Sequence, residues 1–219
     1  MKKSFCFVFC LAAMVLLFAG CASDGSEFRQ KSYTAEEGIH SLQIDVRDRI
    51  VKIEPSSDKQ ISVMYFESEE ESYQFSVVDE TILAMTSQSN KEWNDFIGGK
   101  APAEQRTVIV KIPENKLSSL QISTTNENVE LPALSITDSA SIYVNGGDIL
   151  FDTMEIGNRL TLESKNGNIT GTVAGGYDDF SISSSVKKGE NNLPEQKEGG
   201  EKTMTVTANN GDIAIRFTK

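Results

Sequence analysis

The sequence contains few of the residues that build metal centres, disulfides or nucleic-acid interfaces. Its 219 residues include one histidine and three cysteines, whereas tetrahedral metal sites need several such ligands together. Lysines and arginines number 21 against 32 acidic residues, which gives a net charge of -11. Because nucleic-acid binding needs clustered positive charge, this balance excludes it. The sequence therefore predicts no metal site, no cofactor and no nucleic-acid partner.

The remaining composition is that of one folded domain. Hydrophobic residues make up 38% and charged residues 24% of the chain, which is typical of a globular body rather than a disordered tail. The chain is long enough for a single domain of ordinary size after a targeting segment is removed.

The N-terminus has the pattern of an export signal. Two lysines precede an apolar run over residues 5–19, which is too short to span a bilayer comfortably. The run ends in LFAGC, which resembles the lipobox of bacterial lipoproteins, with Phe18 where that family usually has leucine. The resemblance implies cleavage after residue 20 and a diacylglycerol thioether on Cys21. A plain cleaved signal is the alternative.

Cysteine placement supports lipidation. Cys6 and Cys10 lie inside the signal, so Cys21 is the only cysteine of the mature chain and no internal disulfide can form. Two or three acyl chains anchor a protein stably. The mature chain would carry 19 basic and 32 acidic residues, a net charge of -13, so acyl chains rather than basic patches would hold it at a membrane.

The chain divides into three parts. Residues 1–20 form the predicted signal, and residues 21–34 are polar without apolar periodicity, which predicts a flexible tether. Residues 35–219 form the predicted domain. From Ile39 onward, apolar and polar residues alternate, as at Leu42, Ile44 and Val46. Period-two alternation predicts strands, so the domain is expected to be all-β, with a short helical turn possible only over residues 90–96.

The second half of the chain repeats at intervals near 20 residues. Five apolar pairs begin at Leu120, Ile142, Leu160, Phe180 and Met204. Each is followed by a turn rich in Asn, Gly and Asp and then by an aliphatic residue, and these aliphatics are spaced 20, 20, 24 and 20 residues apart: Val129, Ile149, Ile169, Leu193 and Ile213. In the first half, Ile44, Val63 and Leu83 keep the phase loosely.

A corner repeated at constant spacing predicts stacked coils. Asn and Gly make tight corners at low steric cost, and about twenty extended residues suffice for one circuit. The favoured fold is therefore a single-stranded parallel β-helix with coils of about 20 residues, expected to be right-handed. Polar alternates such as Gln121, Ser123, Thr161 and Ser181 would face outward. A β-sandwich of antiparallel hairpins is the alternative, since Asn-Gly is also a hairpin signal.

Five segments carry a resemblance to a known family: residues 42–46, 108–113, 120–122, 166–169 and 209–217. Together they resemble the bacterial putative adhesins with β-strand repeats, a domain of unknown function, over about residues 39–217. The resemblance implies a surface-exposed β-helical domain without catalytic residues to carry over. Some members of that family accompany envelope-stress sensing systems.

Several acidic residues could carry chemistry. Polysaccharide lyases place acids in a groove of a β-helix, so five aspartates are candidates: Asp148, Asp152, Asp178, Asp179 and Asp212. Asp148 and Asp212 occupy equivalent turns, and a structural corner explains them better than catalysis does. The coils also lack the dense glycine-aspartate repeat of calcium-binding rolls. The acidic run 67–71 is interpreted as a solvated loop, and His40 as a strand-edge residue without a partner acid.

Trp93 and Phe96 are the candidate recognition residues. They lie in a segment that interrupts the repeat, and exposed aromatics on loops often bind sugars or proteins. The alternative is that both side chains plug an open end of the coil, since a solenoid needs capped ends.

These observations favour a non-enzymatic lipoprotein of the cell envelope, anchored to the membrane or displayed at the cell surface. Its domain would serve adhesion or interaction with an envelope protein or glycan. The alternatives are an accessory of an envelope-stress sensing system and a polysaccharide-active enzyme on the same scaffold. Two convergent carboxylates in a cleft would favour the enzyme, whereas a smooth polar face rich in Ser, Thr and Asn would favour the binding module.

Overall fold

A computed structural model describes residues 27–90, 100–114 and 117–219. The strands are β1 (Arg29–Thr34), β2 (Ser41–Asp45), β3 (Ile50–Ser56), β4 (Ser62–Glu67), β5 (Glu71–Val78), β6 (Ile82–Ser89), β7 (Thr107–Pro113), β8 (Leu117–Thr124), β9 (Val129–Leu131), β10 (Leu134–Val144), β11 (Ile149–Ile156), β12 (Arg159–Asn166), β13 (Ile169–Val173), β14 (Phe180–Lys188), β15 (Gln196–Lys197), β16 (Lys202–Asn210) and β17 (Ile213–Phe217). Short 3-10 helices span Ala103–Arg106 and Tyr177–Asp179. Within these described ranges, no helix has the length and hydrophobicity needed to cross a bilayer.

The strands form one curled, solenoid-like sheet with two layers around a common core. The first layer has the order β5-β6-β2-β8-β10-β12-β16-β14-β15. The second has the order β1-β4-β7-β3-β9-β11-β13-β17. Neighbours are parallel except at the ends of the layers, where β5, β15, β1 and β4 pair antiparallel. The all-β prediction is confirmed, and the antiparallel β-sandwich alternative is wrong for the body of the domain.

The middle of the domain keeps a register of 20 residues. Leu120, Ala140 and Leu160 align across β8, β10 and β12, and the corner aliphatics Val129, Ile149 and Ile169 align across β9, β11 and β13. In the first layer, the predicted alignment of Ile142 with Leu120 is wrong by two residues, because Ile142 lies opposite Ile122. Alternate positions of a strand share a face, so a shift of two keeps the same side inward.

The coils do not follow one another in chain order at either end. The pair β16–β17 lies beside β12–β13, and β14 lies beyond it. At the other end, β2–β3 lies between β6–β7 and β8–β9. The predicted sequential coil is therefore wrong at both ends. The longer spacing of the repeat across residues 180–193 reflects this change in the order of the coils, since Leu160 aligns with Met204, 44 residues later.

The first half departs further from a simple coil. Val63 lies in β4, which is antiparallel to both β1 and β7, whereas Leu83 aligns with Leu42. The predicted phase of Ile44, Val63 and Leu83 is therefore wrong, because it joined strands of opposite direction. The flexible tether predicted over residues 21–34 is also wrong over Arg29–Thr34, which is β1 and pairs with β4.

Stacked glycines allow the corners of successive coils to approach closely. A Cβ atom on Gly167 would lie 2.0 Å from the carbonyl oxygen of Gly147, and one on Gly211 would lie 2.1 Å from that of Gly167. Atoms at these distances overlap, so only glycine fits. The glycines therefore set the tight stacking of the corners.

Asn and Asp side chains complete the same corners. The side-chain oxygen of Asn128 accepts the backbone N–H of Asp148 at 2.8 Å, Asp148 accepts that of Asn168 at 2.7 Å, and Asn168 accepts that of Asp212 at 2.9 Å. Each side chain satisfies a backbone donor that turns away from the sheet. The repeated acids are thus structural, as the turn pattern predicted.

An aromatic cluster fills the interior at the N-terminal end of the domain. The rings of Tyr33 and Phe75 are stacked with centroids 4.3 Å apart, and Tyr65 contacts both Phe75 and Tyr73 at 5.2 and 5.3 Å. Buried Arg49 donates to the Tyr73 hydroxyl and pairs with Glu71. Burial, followed by the nearby charge of Glu67, raises the pKa of Tyr65 to about 12. These residues close the end between the two layers.

At the C-terminal end, side-chain amides cover an open strand edge. Asn192 donates to the Ile215 carbonyl at 2.6 Å and accepts the Ile215 N–H at 3.0 Å, so it occupies the place of a neighbouring strand. Ser184 donates to the Pro194 carbonyl at 2.7 Å. Edge groups satisfied in this way are poor templates for further strand pairing.

Candidate functional site

The outward side chains of the first layer form a long uncharged row. Strand pairing aligns one residue from each of nine strands, and none of the nine carries a charge: Ser76, Ala84, Gln43, Gln121, Ser141, Thr161, Thr205, Ser183 and Gln196. Ala84 is buried, and the other eight are exposed or half-buried. With neighbouring strands about 4.8 Å apart, this central row extends for roughly 38 Å. In a chain with 24% charged residues, an uncharged row of this length is unusual.

The two rows beside it are also mainly polar and uncharged. On one side, strands β8 to β14 present Ser119, Ser139, Thr203 and Ser181 around a single Arg159. This row continues through buried Ser41 to Ile82 and exposed Val78, which lie beyond the polar part. The other side is ordered Gln74, Thr86, Asp45, Ser123, Tyr143, Glu163, Thr207 and Ser185. The central row and these two rows are called the polar face below. Its charged members are Asp45, Arg159 and Glu163.

The middle of the polar face is available to a ligand. Gln121, Ser141 and Thr205 are exposed and Thr161 is half-buried. Within the described part of the chain, the side chains of these residues have no hydrogen-bond partner. Hydroxyl and amide groups both donate and accept, so the row can exchange hydrogen bonds with a ligand of the same kind. Ser183, near the end of the row, already accepts from Gln196 at 2.9 Å.

Tyr143 adds an aromatic ring to the polar face. It lies between Ser123 and Glu163 in the row beside Ser141. The ammonium of Lys165 is 5.5 Å from its ring centroid. Hydrogen bonding to Tyr143, followed by the electrostatic effect of the same group, raises the pKa of Lys165. A half-exposed ring amid hydroxyl groups offers an apolar surface with a polar rim.

The outer side of the second layer has a different composition. Lys52 pairs with Glu130 at 2.8 Å, and the neighbouring strand β11 presents Leu150 with 37% exposure next to Asp152. This surface, called the mixed face below, combines ion pairs with isolated apolar groups. It has no uncharged row comparable to that of the polar face.

The acidic residues considered for catalysis do not converge. The Asp148 carboxylate accepts the backbone N–H of Asn168 in the corner ladder, and the Asp212 carboxylate accepts that of Glu190 at 2.8 Å. Asp179 accepts from the Gly176 N–H at 2.7 Å, and exposed Asp178 lies 3.7 Å from the Lys197 ammonium. Asp148, Asp179 and Asp212 therefore have local structural roles in turns, whereas Asp152 lies within strand β11.

His40 lies immediately before β2 and contacts two serine hydroxyls. Its Nδ1 atom is 3.0 Å from the Ser118 Oγ and 3.3 Å from the Ser41 Oγ, and the two hydroxyls are 2.9 Å apart. Nucleophilic serine catalysis also needs a group that orients the histidine and donors for the oxyanion. Among the residues the structure describes, no carboxylate hydrogen-bonds to His40.

The acidic run 67–71 is more structured than a solvated loop. Glu67 pairs with Lys31 at 2.5 Å and accepts the Tyr73 N–H at 2.9 Å, and Glu71 pairs with Arg49. The solvated-loop interpretation is therefore wrong for Glu67 and Glu71. Over residues 27–90, 100–114 and 117–219, no three His, Cys, Asp or Glu side chains are grouped as metal ligands would be.

The predicted site residues Cys21, Trp93 and Phe96 lie outside the described residues. Sequence reasoning anticipated part of the polar face, since Gln121 and Thr161 were expected to point outward. It missed the continuity of the row, because the neighbours of Thr161 and Gln43 depend on the exchanged order of the coils. The aromatic cluster at Tyr65 was missed as well, although Tyr73 and Phe75 at alternate positions of β5 were a usable signal.

Comparison with known proteins gives a family and a fold. The family model described as Toastrack DUF4097 matches residues 39–169, more than half of the chain. Among functionally curated proteins, no sequence matches.

One solved structure shares the fold at low sequence identity, and two others align more weakly. A putative cell adhesion protein from Clostridium sporogenes aligns with a TM-score of 0.60 at 11% identity, over 88% of this chain and 100% of the other. Putative adhesins from Bacteroides fragilis and Parabacteroides distasonis cover 88% and 86% of this chain, and 98% and 97% of their own, at 9% and 10% identity, each with a TM-score of 0.35. The first of these likenesses supports the fold.

Proposed function

We propose that this chain, which belongs to the Toastrack DUF4097 family, is a non-enzymatic lipoprotein of the cell envelope whose polar face binds neutral, hydroxyl-rich ligands such as glycan chains. In this proposal Cys21 carries the lipid anchor, and residues 22–28 connect the anchor to β1. The proposed fold is a right-handed coil of about 20 residues: the 20-residue register of β8, β10 and β12 supports the coil length, and the general preference of parallel crossovers supports the handedness.

The uncharged central row is the observation that carries the binding proposal. A charged ligand would gain little from it, because charge complementarity steers and selects charged partners. A neutral glycan presents hydroxyl groups, which match the donors and acceptors of Gln121, Ser141 and Thr161. Tyr143, beside the row, supplies a ring on which a sugar can stack. The similar structure from Clostridium sporogenes is that of a putative cell adhesion protein, which fits this proposal.

The binding proposal is tested with charges placed in the row. The variant Thr161→Lys with Thr205→Lys puts two ammonium groups on adjacent strands of the polar face. The matched control, Thr170→Lys with Ala214→Lys, makes the same change at directly paired positions of the mixed face. We expect retention on immobilised neutral glucan and mannan to be lost only in the first variant. Equal retention of both variants would overturn the proposal.

Anchoring is tested separately, by intact mass and membrane partitioning of the native protein beside Cys21→Ser. Expression in a bacterium with lipoprotein processing should remove residues 1–20, add the mass of acyl chains and send the native protein to the membrane fraction. The variant should lack the acyl mass and leave that fraction. Release of both proteins into the medium would contradict the anchor and leave the binding proposal standing on its own test.

A further inference from the structure

A groove runs along one corner of the domain, away from the polar face. It consists of two adjoining cavities of about 360 and 900 Å³ that share Pro55, Pro113 and Glu114. It begins where β3 and β7 end and passes the turn between β9 and β10. It continues along the end of β11 to Ala174, directly after β13.

The floor of the first, smaller cavity is apolar. It is formed by the side chains of Ile53, Ile112 and Leu134 together with Pro132 and Ala133. Ligand sites are typically concave and mainly apolar, with a few polar groups that fix orientation. Of the five prolines in the chain, three line this groove.

The prolines restrict how a ligand can be held there. Proline has no backbone N–H, so Pro55 and Pro113 cannot donate to an added strand. A peptide in this groove must therefore bind by side-chain packing and charge rather than by extending the sheet. An extended segment with its own prolines suits this mode, because it is ordered before binding and loses little conformational entropy.

The rim of the groove is acidic. Glu54, Glu114 and Glu155 line the first cavity, and Glu155 is held by a 2.9 Å hydrogen bond from the Ser135 hydroxyl. The second cavity adds Glu37 and Asp58, and its one basic lining residue is Lys59. A positively charged ligand is complementary to this rim.

We propose that this groove binds an extended segment of a partner protein that combines proline and leucine-like residues with lysine or arginine. Five neighbouring strands, from β7 to β13, border the groove, so its length is roughly 19 Å at about 4.8 Å per strand. A polyproline-like segment rises about 3.1 Å per residue and would fill that length with about six residues. The apolar residues contact the floor, and the cations face the carboxylates of the rim.

The probe is a nine-residue peptide of three lysine–proline–leucine repeats, labelled for fluorescence anisotropy. Control peptides replace lysine by glutamate or by serine. We expect saturable binding of the lysine peptide to the full-length protein at physiological salt and at least about tenfold weaker binding of both controls, since charge complementarity selects the partner. Absence of saturable binding, or equal binding of the three peptides, overturns the proposal.

Two variants assign the binding to the groove. Glu114→Lys with Glu155→Lys reverses two exposed rim charges, and Asp45→Lys with Glu163→Lys makes the same change in net charge on the polar face. We expect about tenfold or greater weakening from the rim pair and less than about twofold from the control pair, because a charge distant from the bound peptide is screened by salt. Equal weakening by the two pairs would show that the peptide responds only to the overall negative charge of the protein, and would overturn the proposal.

The second variant leaves the charge unchanged. Exposed Ala133→Trp fills the floor, and Ala214→Trp places the same side chain on the mixed face. Loss of peptide binding in Ala133→Trp but not in Ala214→Trp supports binding in the groove. Unchanged binding in both variants overturns the proposal. Retention on neutral glycans is measured in parallel on Glu114→Lys with Glu155→Lys, on Ala133→Trp and on Ala214→Trp, which leave the polar face unchanged, and we expect all three proteins to keep it. The groove and the glycan proposals can therefore fail independently.

Discussion

The polar face and the mixed face are built on the same corners and the same buried column, yet they present different surfaces. In β12, the buried residues Leu160 and Leu162 alternate with outward Thr161, which continues the uncharged row. On the other layer, the outward Lys52 and Glu130 form an ion pair across β3 and β9. Folding requires apolar residues at the inward positions of both layers, whereas it constrains the outward positions little.

This difference indicates which residues serve function. An ion pair such as Lys52–Glu130 stabilises its own surface slightly and is common on exposed sheets. The hydroxyl and amide side chains of this row add little to folding, since the exposed ones have water to bond with in any state. The row is therefore better explained by what it contacts than by what it stabilises.

The largest effect is expected from a change that both faces share. Gly167→Ala would place a Cβ atom 2.0 Å from the Gly147 carbonyl oxygen, so the corner must open, with a loss of about 3 kcal/mol in unfolding free energy. In Gly176→Ala the new atom would lie 3.6 Å from the Asp179 carboxylate, and we expect a much smaller loss. Urea denaturation measures both variants. Equal stability of the two would show that the corners are not closely stacked.

The next effect separates the two faces. Thr161→Lys with Thr205→Lys should weaken retention on neutral glycans by about tenfold, equivalent to about 1.4 kcal/mol. Repulsion between the paired lysines should lower the unfolding free energy by no more than about 1 kcal/mol. We expect Thr170→Lys with Ala214→Lys to show the same repulsion between lysines without the loss of glycan binding. Glycan retention and thermal denaturation, measured on both proteins, distinguish the two contributions.

A third test concerns the aromatic end that closes the space between the layers. Because the pKa of Tyr65 is raised to about 12 from 10, the folded state keeps its proton where the unfolded state loses it. Stability is therefore complete below about pH 10 and falls as the pH rises toward 12. Tyr65→Phe should reduce this alkaline loss, and Tyr143→Phe on the polar face should leave it as in the native protein. Parallel curves for all three proteins would contradict the buried position of Tyr65.

The smallest effect is expected on the mixed face. Both partners of the Lys52–Glu130 pair are 38% exposed, so Lys52→Met should change the unfolding free energy by about 0.5 kcal/mol or less. It should not alter glycan retention. A loss of retention in this variant would show that the ligand contacts the mixed face, and the functional contrast between the faces would disappear.

Sequence reasoning predicted the regular part of the domain and missed its ends. The corner ladder of Asn128, Asp148 and Asn168 could be predicted, since tight turns need those residue types at a constant spacing. The exchange of coils could not, because every parallel strand carries the same apolar alternation whichever strand lies beside it. The interrupted spacing before Met204 was the one local sign of it.

The two candidate binding surfaces also differ in how far they could be predicted from the sequence. Individual outward residues such as Gln121 and Thr161 could be predicted from alternation, but their continuity with Gln43 required the strand order. The groove could not be predicted, since Pro55 and Pro132 are far apart in the chain and meet only because β3 and β9 are neighbours.

The central claim, that the polar face binds a neutral glycan, is tested most directly by amide chemical-shift mapping with a neutral β-linked hexasaccharide. The account predicts saturable shifts in β8, β10, β12 and β16, largest around Ser141, Thr161 and Thr205, and their loss in Thr161→Lys with Thr205→Lys. Shifts confined to the mixed face or the groove, or no shifts at millimolar ligand, would contradict it.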